Sequence, residues 1–162
     1  MKHLKGFISE GLKLGSSKIN SNPKYTEQPK DWSELKRIIR DRVMKDRDAD
    51  LNDIDVSNIT DMSYLFDMIP IQKIKIDKWD VSQVKNMESM FLGCKGFDCD
   101  LSGWDVSRVE NMTKMFKWCS QFKGKGLENW KPVKLWECDN MFQGCEYMYK
   151  FPHWYVSTLA IK

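Results

Sequence analysis

Two histidines, five cysteines and a short run of alternating aspartates are the residues of this 162-residue chain that could carry chemistry. His3 and His153 lie far apart and neither falls in a repeated position. The order of residues brings no Ser-His-Asp or Cys-His pair together. The cysteines stand at 94, 99, 119, 138 and 145. A zinc site needs close pairs such as C-x-x-C, and this spacing offers none. Asp46, Asp48 and Asp50 imitate the start of a calcium loop. Leu51 stands where that loop requires glycine and Ser57 where it requires a bidentate glutamate, so the EF-hand reading fails. No glycine-rich phosphate loop occurs. The expectation is a protein without metal, cofactor or catalytic residues, hence not an enzyme.

The strongest signal is instead a repeat. Trp79, Trp104, Trp130 and Trp154 recur at intervals of 25, 26 and 24 residues. A phenylalanine follows twelve residues after three of them, as Phe91, Phe116 and Phe142. Stepping back from Trp79 gives Ile54, with Phe66 in the matching place. Further columns read Met62, Met87, Met112, Cys138; then Leu65, Met90, Met115, Met141; then Ile69, Cys94, Cys119, Cys145. The opening turns read Asp55-Val56-Ser57, Asp80-Val81-Ser82 and Asp105-Val106-Ser107, while Lys131-Pro132-Val133 departs. A unit of ~25 residues cannot bury its own apolar side, so such units stack to share one core. Regular Trp spacing is what core packing requires, and the Cys column reads as a ladder of small buried thiols.

Within a unit, Met87, Met90 and Phe91 sit at i, i+3 and i+4, which predicts a short helix over 86–92. Asn86 would cap it and Gly93 would end it in the left-handed region. Lys73-Ile74-Lys75-Ile76 alternates with period two and predicts a short strand. The fold class expected is α/β, a short right-handed leucine-rich-repeat-like solenoid. Each coil would hold one short strand and one short helix, behind an N-terminal capping helix.

The same columns in the next coils read Asp98-Cys99-Asp100-Leu101 and Lys123-Gly124-Lys125-Gly126. The outward pairs then alternate Lys73/Lys75, Asp98/Asp100, Lys123/Lys125 along the stack. Such neighbours form either a self-satisfied ladder or a charged binding face, and cross-strand pairs contribute roughly 0.2–1 kcal/mol each. Replacing Asp98 and Asp100 by Lys is expected to lower the thermal midpoint and to make it more salt-dependent. An unchanged midpoint would contradict this register.

Ahead of the repeats, Asp31-Trp32-Ser33-Glu34 reads as a capping box. Leu35, Ile38, Ile39 and Val43 follow on one helical face, predicting a helix over 31–46 that closes the first coil. The domain reading is 1–30, an amphipathic segment and polar linker; 31–50, the capping helix; and 51–162, the repeats. Coils open near 54, 79, 104 and 130, with a partial coil from 154. Leu4, Phe7, Ile8 and Leu12 give the first segment an apolar side able to dock in a partner's groove. Residues 1–47 carry 12 basic and 6 acidic residues, residues 48–162 carry 14 and 17, so a basic head joins a mildly acidic body.

No stretch approaches the ~20 apolar residues of a membrane span. Glu10 interrupts the first segment, which lacks the apolar run of a signal peptide. The chain is expected to stay in the cytoplasm with its cysteines reduced.

The phrase Trp-Asp-Val-Ser-x-Val-x-Asn-Met-x-x-Met-Phe-x-x-Cys resembles the 25-residue repeat of the BspA-like leucine-rich-repeat family, also described from mycoplasma lipoproteins. The resemblance covers about residues 51–160. It implies the α/β solenoid and a role in adhesion or protein binding, with no catalytic residues. The opening Leu-Lys-Gly-Phe-Ile-Ser-Glu-Gly-Leu also resembles short intracellular repeat proteins of bacteriophages, which implies a bacterial host cytoplasm. The function expected is a non-enzymatic protein–protein interaction module that binds a host or phage factor. The alternative is a structural or virion-packaged component docked through its N-terminal segment. The partner expected is another protein; a membrane, nucleic acid or small-molecule substrate is not.

Overall fold

The computed structural model describes residues 24–160. It opens with α1, Trp32–Val43, and closes with α2, His153–Ala160; a single 3-10 turn, Leu127–Asn129, lies between them. Asp31 caps α1 by accepting from Glu34 N at 2.9 Å. The Glu34 carboxylate reaches back to accept from Lys30 N. Leu35, Ile38, Ile39 and Val43 are all buried, as the periodicity requires of a helix laid over a core.

The repeats stack, but not as strand–helix coils. Among the described residues no helix forms over 86–92 or its counterparts. Pairing is confined to isolated parallel bridges such as Asp61↔Asn86, Asn86↔Asn111 and Asn111↔Glu137, with no sheet. The α/β solenoid with a strand and a helix in each coil is therefore corrected to a stack of turn-built layers. The reason lies in where the backbone bonds go. Met87, Ser89, Phe91 and Gly93 donate to Asn111, Thr113, Met115 and Lys117 of the next layer, each at 2.9 Å. Met112, Lys114, Phe116 and Trp118 donate in turn to Glu137, Asp139, Met141 and Gln143. The intervening amides close tight turns inside the layer, Met90 to Met87 and Cys94 to Phe91.

Left-handed residues four apart keep these turns from continuing as a helix. Ser89 has φ 52° and Gly93 φ 71°; Lys114 and Trp118 have φ 56° and 62°. Gly93 adopts the predicted left-handed conformation without any helix before it. Asn86 and Asn111 are not helix caps; their Oδ1 atoms accept from Glu88 N and Thr113 N, two residues on. The Asp of each Asp-Val-Ser makes the same short turn, as Asp80 to Ser82 N and Asp105 to Ser107 N.

The interior is a set of columns. Phe66, Phe91, Phe116 and Phe142 stack with centroids 5.2, 5.5 and 5.7 Å apart. Trp79, Trp104, Trp130 and Trp154 run parallel at 6.5, 6.3 and 6.0 Å. Each indole N–H donates one layer back: Trp79 to Leu51 O, Trp104 to Ile76 O, Trp130 to Leu101 O and Trp154 to Leu127 O. The Trp ring thus fills the core while its only polar atom is satisfied. Cys94, Cys119 and Cys145 donate from Sγ to Phe66, Phe91 and Phe116 carbonyls, each at 3.0 Å. Burial pushes the thiols up, Cys145 to about 11, so they stay protonated and inert.

Candidate functional site

The core residues face one another, so recognition has to come from the outward columns. The predicted binding-face residues fall in two outward columns, Lys73, Asp98, Lys123 and Lys75, Asp100, Lys125. Lys123 and Lys125 pair with Asp98 and Asp100, at 2.5 and 2.8 Å. Lys75 pairs with Asp50 at 3.3 Å. Asp48 Oδ1 accepts from Lys73 N as Asp98 Oδ1 accepts from Lys123 N. Asp48 and Asp50 are therefore the first rung of the ladder. They stand 25 residues before Lys73 and Lys75, a spacing that would have revealed them. With that rung the order runs acidic, basic, acidic, basic. Ile74 and Ile76 point inward beneath it, although their backbone forms no strand beyond the bridge Asp50↔Lys75.

The ladder consumes most of its own charge. A salt bridge this exposed contributes little to stability. Its pH dependence is still readable. Lys125 donates to the Asp100 carboxylate and the Ser102 N–H adds a second bond, holding Asp100 down at about 2. Ionised Asp100 thus favours the folded chain. That contribution is complete above about pH 4, where an unfolded aspartate is ionised, and fades as pH falls through the folded value of about 2. Thermal midpoints followed across this window should fall less steeply in Asp100→Asn than in the parent chain.

A different surface is not self-satisfied. Outward positions that are polar in the inner layers turn apolar in the last one. Nine residues before each layer's Phe stand Ser82, Ser107 and then Val133, which is 76% exposed. Six before stand Lys85, Glu110 and then Trp136, 60% exposed. Seven after stand Lys73, Asp98, Lys123 and then Tyr149, 87% exposed. The register of Trp136 is fixed by its N–H, which donates to Glu110 O at 3.1 Å. Tyr147 and Phe151 are also partly exposed on this layer. The Lys73, Asp98, Lys123 column of the charge ladder thus ends in Tyr149. The repeat was legible in the sequence, and comparing outward columns layer by layer would have exposed the switch.

A second apolar feature adjoins it. Met68 and Trp118 occupy the column of Gly93 and Gly144, all four at positive φ. Each large side chain drapes over the glycine of the following layer, where a Cβ would overlap Met68 Sδ or Trp118 Cδ1. A groove of about 680 Å³ runs between them, lined by Met68, Gly93, Lys95, Trp118, Ser120 and Glu146 among others. Lys117 Nζ sits 4.7 Å from the Trp118 ring centroid. Bulky residues in the left-handed region are uncommon and mark positions worth testing for function.

The predicted docking residues Leu4, Phe7, Ile8 and Leu12 lie outside the described residues. No helix among the described residues is long and apolar enough to cross a membrane. No curated protein and no solved structure matches the chain. A family model does match, over residues 34–154, which takes in most of α1 and every layer. The chain therefore belongs to the family described as Mycoplasma protein of unknown function, DUF285.

Proposed function

We propose that the chain is a protein-binding module that engages its partner through the last layer of the stack. One observation carries this: Val133, Trp136 and Tyr149 are exposed at positions where the inner layers hold serine and charged residues. Aromatic side chains are enriched at protein interfaces and supply their energetic anchors. Large apolar side chains exposed together in one layer, where the equivalent positions of the other layers are polar, mark a contact surface rather than a solvated face. The inner layers show what the same backbone tolerates when it faces water only. A bacterial partner, host- or phage-encoded, fits the resemblance of the opening residues.

The test uses the full chain as bait in host lysate, beside a variant in which the last layer takes the inner layers' residues. That variant is Val133→Ser, Trp136→Glu, Tyr149→Lys. Its fold should survive, because the replacements already occupy those columns in Ser107, Glu110 and Lys123. Each lost anchor costs about 2 kcal/mol or more, so binding should fall by tens-fold or beyond. Equal partner recovery by a well-folded variant would refute the reading.

A further inference from the structure

Resting on that protein-binding reading, we propose that the outer edge of the last layer docks an extended, basic segment of a partner protein. The partner's backbone carbonyls would take the place of a further layer. In every inner layer the amides at four alternating positions donate to the next layer. In the third layer these are Met112, Lys114, Phe116 and Trp118, at 2.7 to 3.0 Å. Asn140, Phe142 and Gly144 hold the last three of those positions in the final layer. Among the described residues their N–H groups have no acceptor. Asn140 and Gly144, with the intervening Gln143, are exposed. α2, which contains Trp154, takes the place of another layer, and Tyr155 meets the Phe142 ring edge-on at 4.8 Å. It caps that ring without supplying the row of amides with carbonyls. A row of unanswered donors at alternate residues is a template for adding a chain.

The opposite end of the stack is closed. There the row presents the carbonyls of Asp61, Ser63, Leu65 and Asp67, and α1 lies against it: Trp32 Nε1 donates to Ser63 O and Lys36 Nζ to the adjoining Tyr64 O, both at 2.7 Å. A second copy stacked end to end would have to displace α1, so the occupant is a different chain. Its charge follows from the edge. Asn111, Thr113 and Ser120 give way to Glu137, Asp139 and Glu146 in the last layer. Lys114 and Lys117 give way to Asn140 and Gln143. Between Lys134 and Lys150, residues 135–149 carry three acids and no lysine or arginine, so the acidic character is confined to the edge itself. Lysines alternating along an extended segment answer that pattern, with the intervening side chains toward the exposed Trp136.

The experiment records backbone amide exchange in the isotope-labelled full chain. The probe is a capped ten-residue peptide of alternating Lys and Val, and its control alternates Glu and Val. In the free chain, Asn140, Phe142 and Gly144 should exchange at least about tenfold faster than Lys114, Phe116 and Trp118. The Lys–Val peptide should slow the three by about tenfold or more, and ~1 M salt should reverse this. The Glu–Val peptide should leave them unchanged. No slowing with the Lys–Val peptide, or equal slowing with both, overturns the proposal. Peptide shifts confined to Trp136 and Tyr149, with the three amides unaltered, overturn the edge while leaving the last layer as a binding surface. Loss of amide protection and of aromatic shifts together would remove both.

Discussion

Phe116→Ala should lower the stability of the chain by about 3–5 kcal/mol, the usual cost of emptying a large buried aromatic site. Phe116 is fully buried at the centre of the ring column. Its ring lies 5.5 Å from Phe91, 5.7 Å from Phe142 and 4.3 Å from Phe122. The layers above and below are joined to it by backbone ladders, so the cavity cannot collapse by one layer settling on another. With a total stability of roughly 5–15 kcal/mol for a domain, a loss of this size is severe. The thermal midpoint should fall by roughly 10–15 °C. Phe142→Ala, in a layer with a neighbour on one side only, should cost less, because end layers open locally before the rest. Denaturant titrations of the two variants check both values. Equal costs would argue against independent layers held by nearest-neighbour contacts.

Gly126→Ala should be the most damaging glycine substitution. Gly126 is the extra residue of the 26-residue unit, and it opens the 3-10 turn Leu127–Asn129 from φ 89°. A Cβ there would overlap the backbone N and Cα of Ser102, one layer below. The left-handed conformation alone costs an L-residue roughly 1–3 kcal/mol. The overlap adds to this, since backbone held in a ladder cannot step aside. Leu101 N donates to Lys125 O at 3.2 Å in the adjacent rung, so the clash falls where two layers are tied. Gly144→Ala supplies the control. It shares the positive φ, but its Cβ would meet the Trp118 side chain, which is half exposed and able to swing away. Unfolding curves should therefore rank Gly126→Ala well below Gly144→Ala. The reverse order would show that conformation, not interlayer approach, dominates.

What the sequence made legible was the set of side chains facing inward. The Trp, Phe, Met and Cys columns all stack where equal spacing places them. The Asp31–Glu34 cap and the apolar face of α1 also follow from local pattern. The helix over 86–92 did not form, and the cause is physical. Met87, Met90, Phe91 and Cys94 are buried at i, i+3, i+4 and i+7, which a helix satisfies and a pair of successive turns satisfies equally. Periodicity reports which side chains share a face, not where the amides find acceptors. Those acceptors lie 24 residues away, and no local window contains them. A single seven-residue helix would also be marginal by itself, since nucleation is costly. The alternating columns foretell the pairing of Asp98 and Asp100 with Lys123 and Lys125, but among the described residues no ion pair joins those aspartates to Lys73 or Lys75; these turn instead to Asp48 and Asp50, whose calcium-loop-like spacing hides their place in the repeat. Charge alternation along the outward columns does not reveal the apolar last layer, because Val133, Trp136 and Tyr149 carry no charge.

The account stands on amides that bond across layers rather than along a helix. Scalar couplings transmitted through hydrogen bonds, from an amide nitrogen to the carbonyl carbon that accepts it, report each partner directly. The account predicts couplings from Ser89 to Thr113, Phe91 to Met115 and Gly93 to Lys117. Couplings from Met90, Phe91 or Leu92 to the residues four before them, over the same stretch, would restore the helix and contradict it.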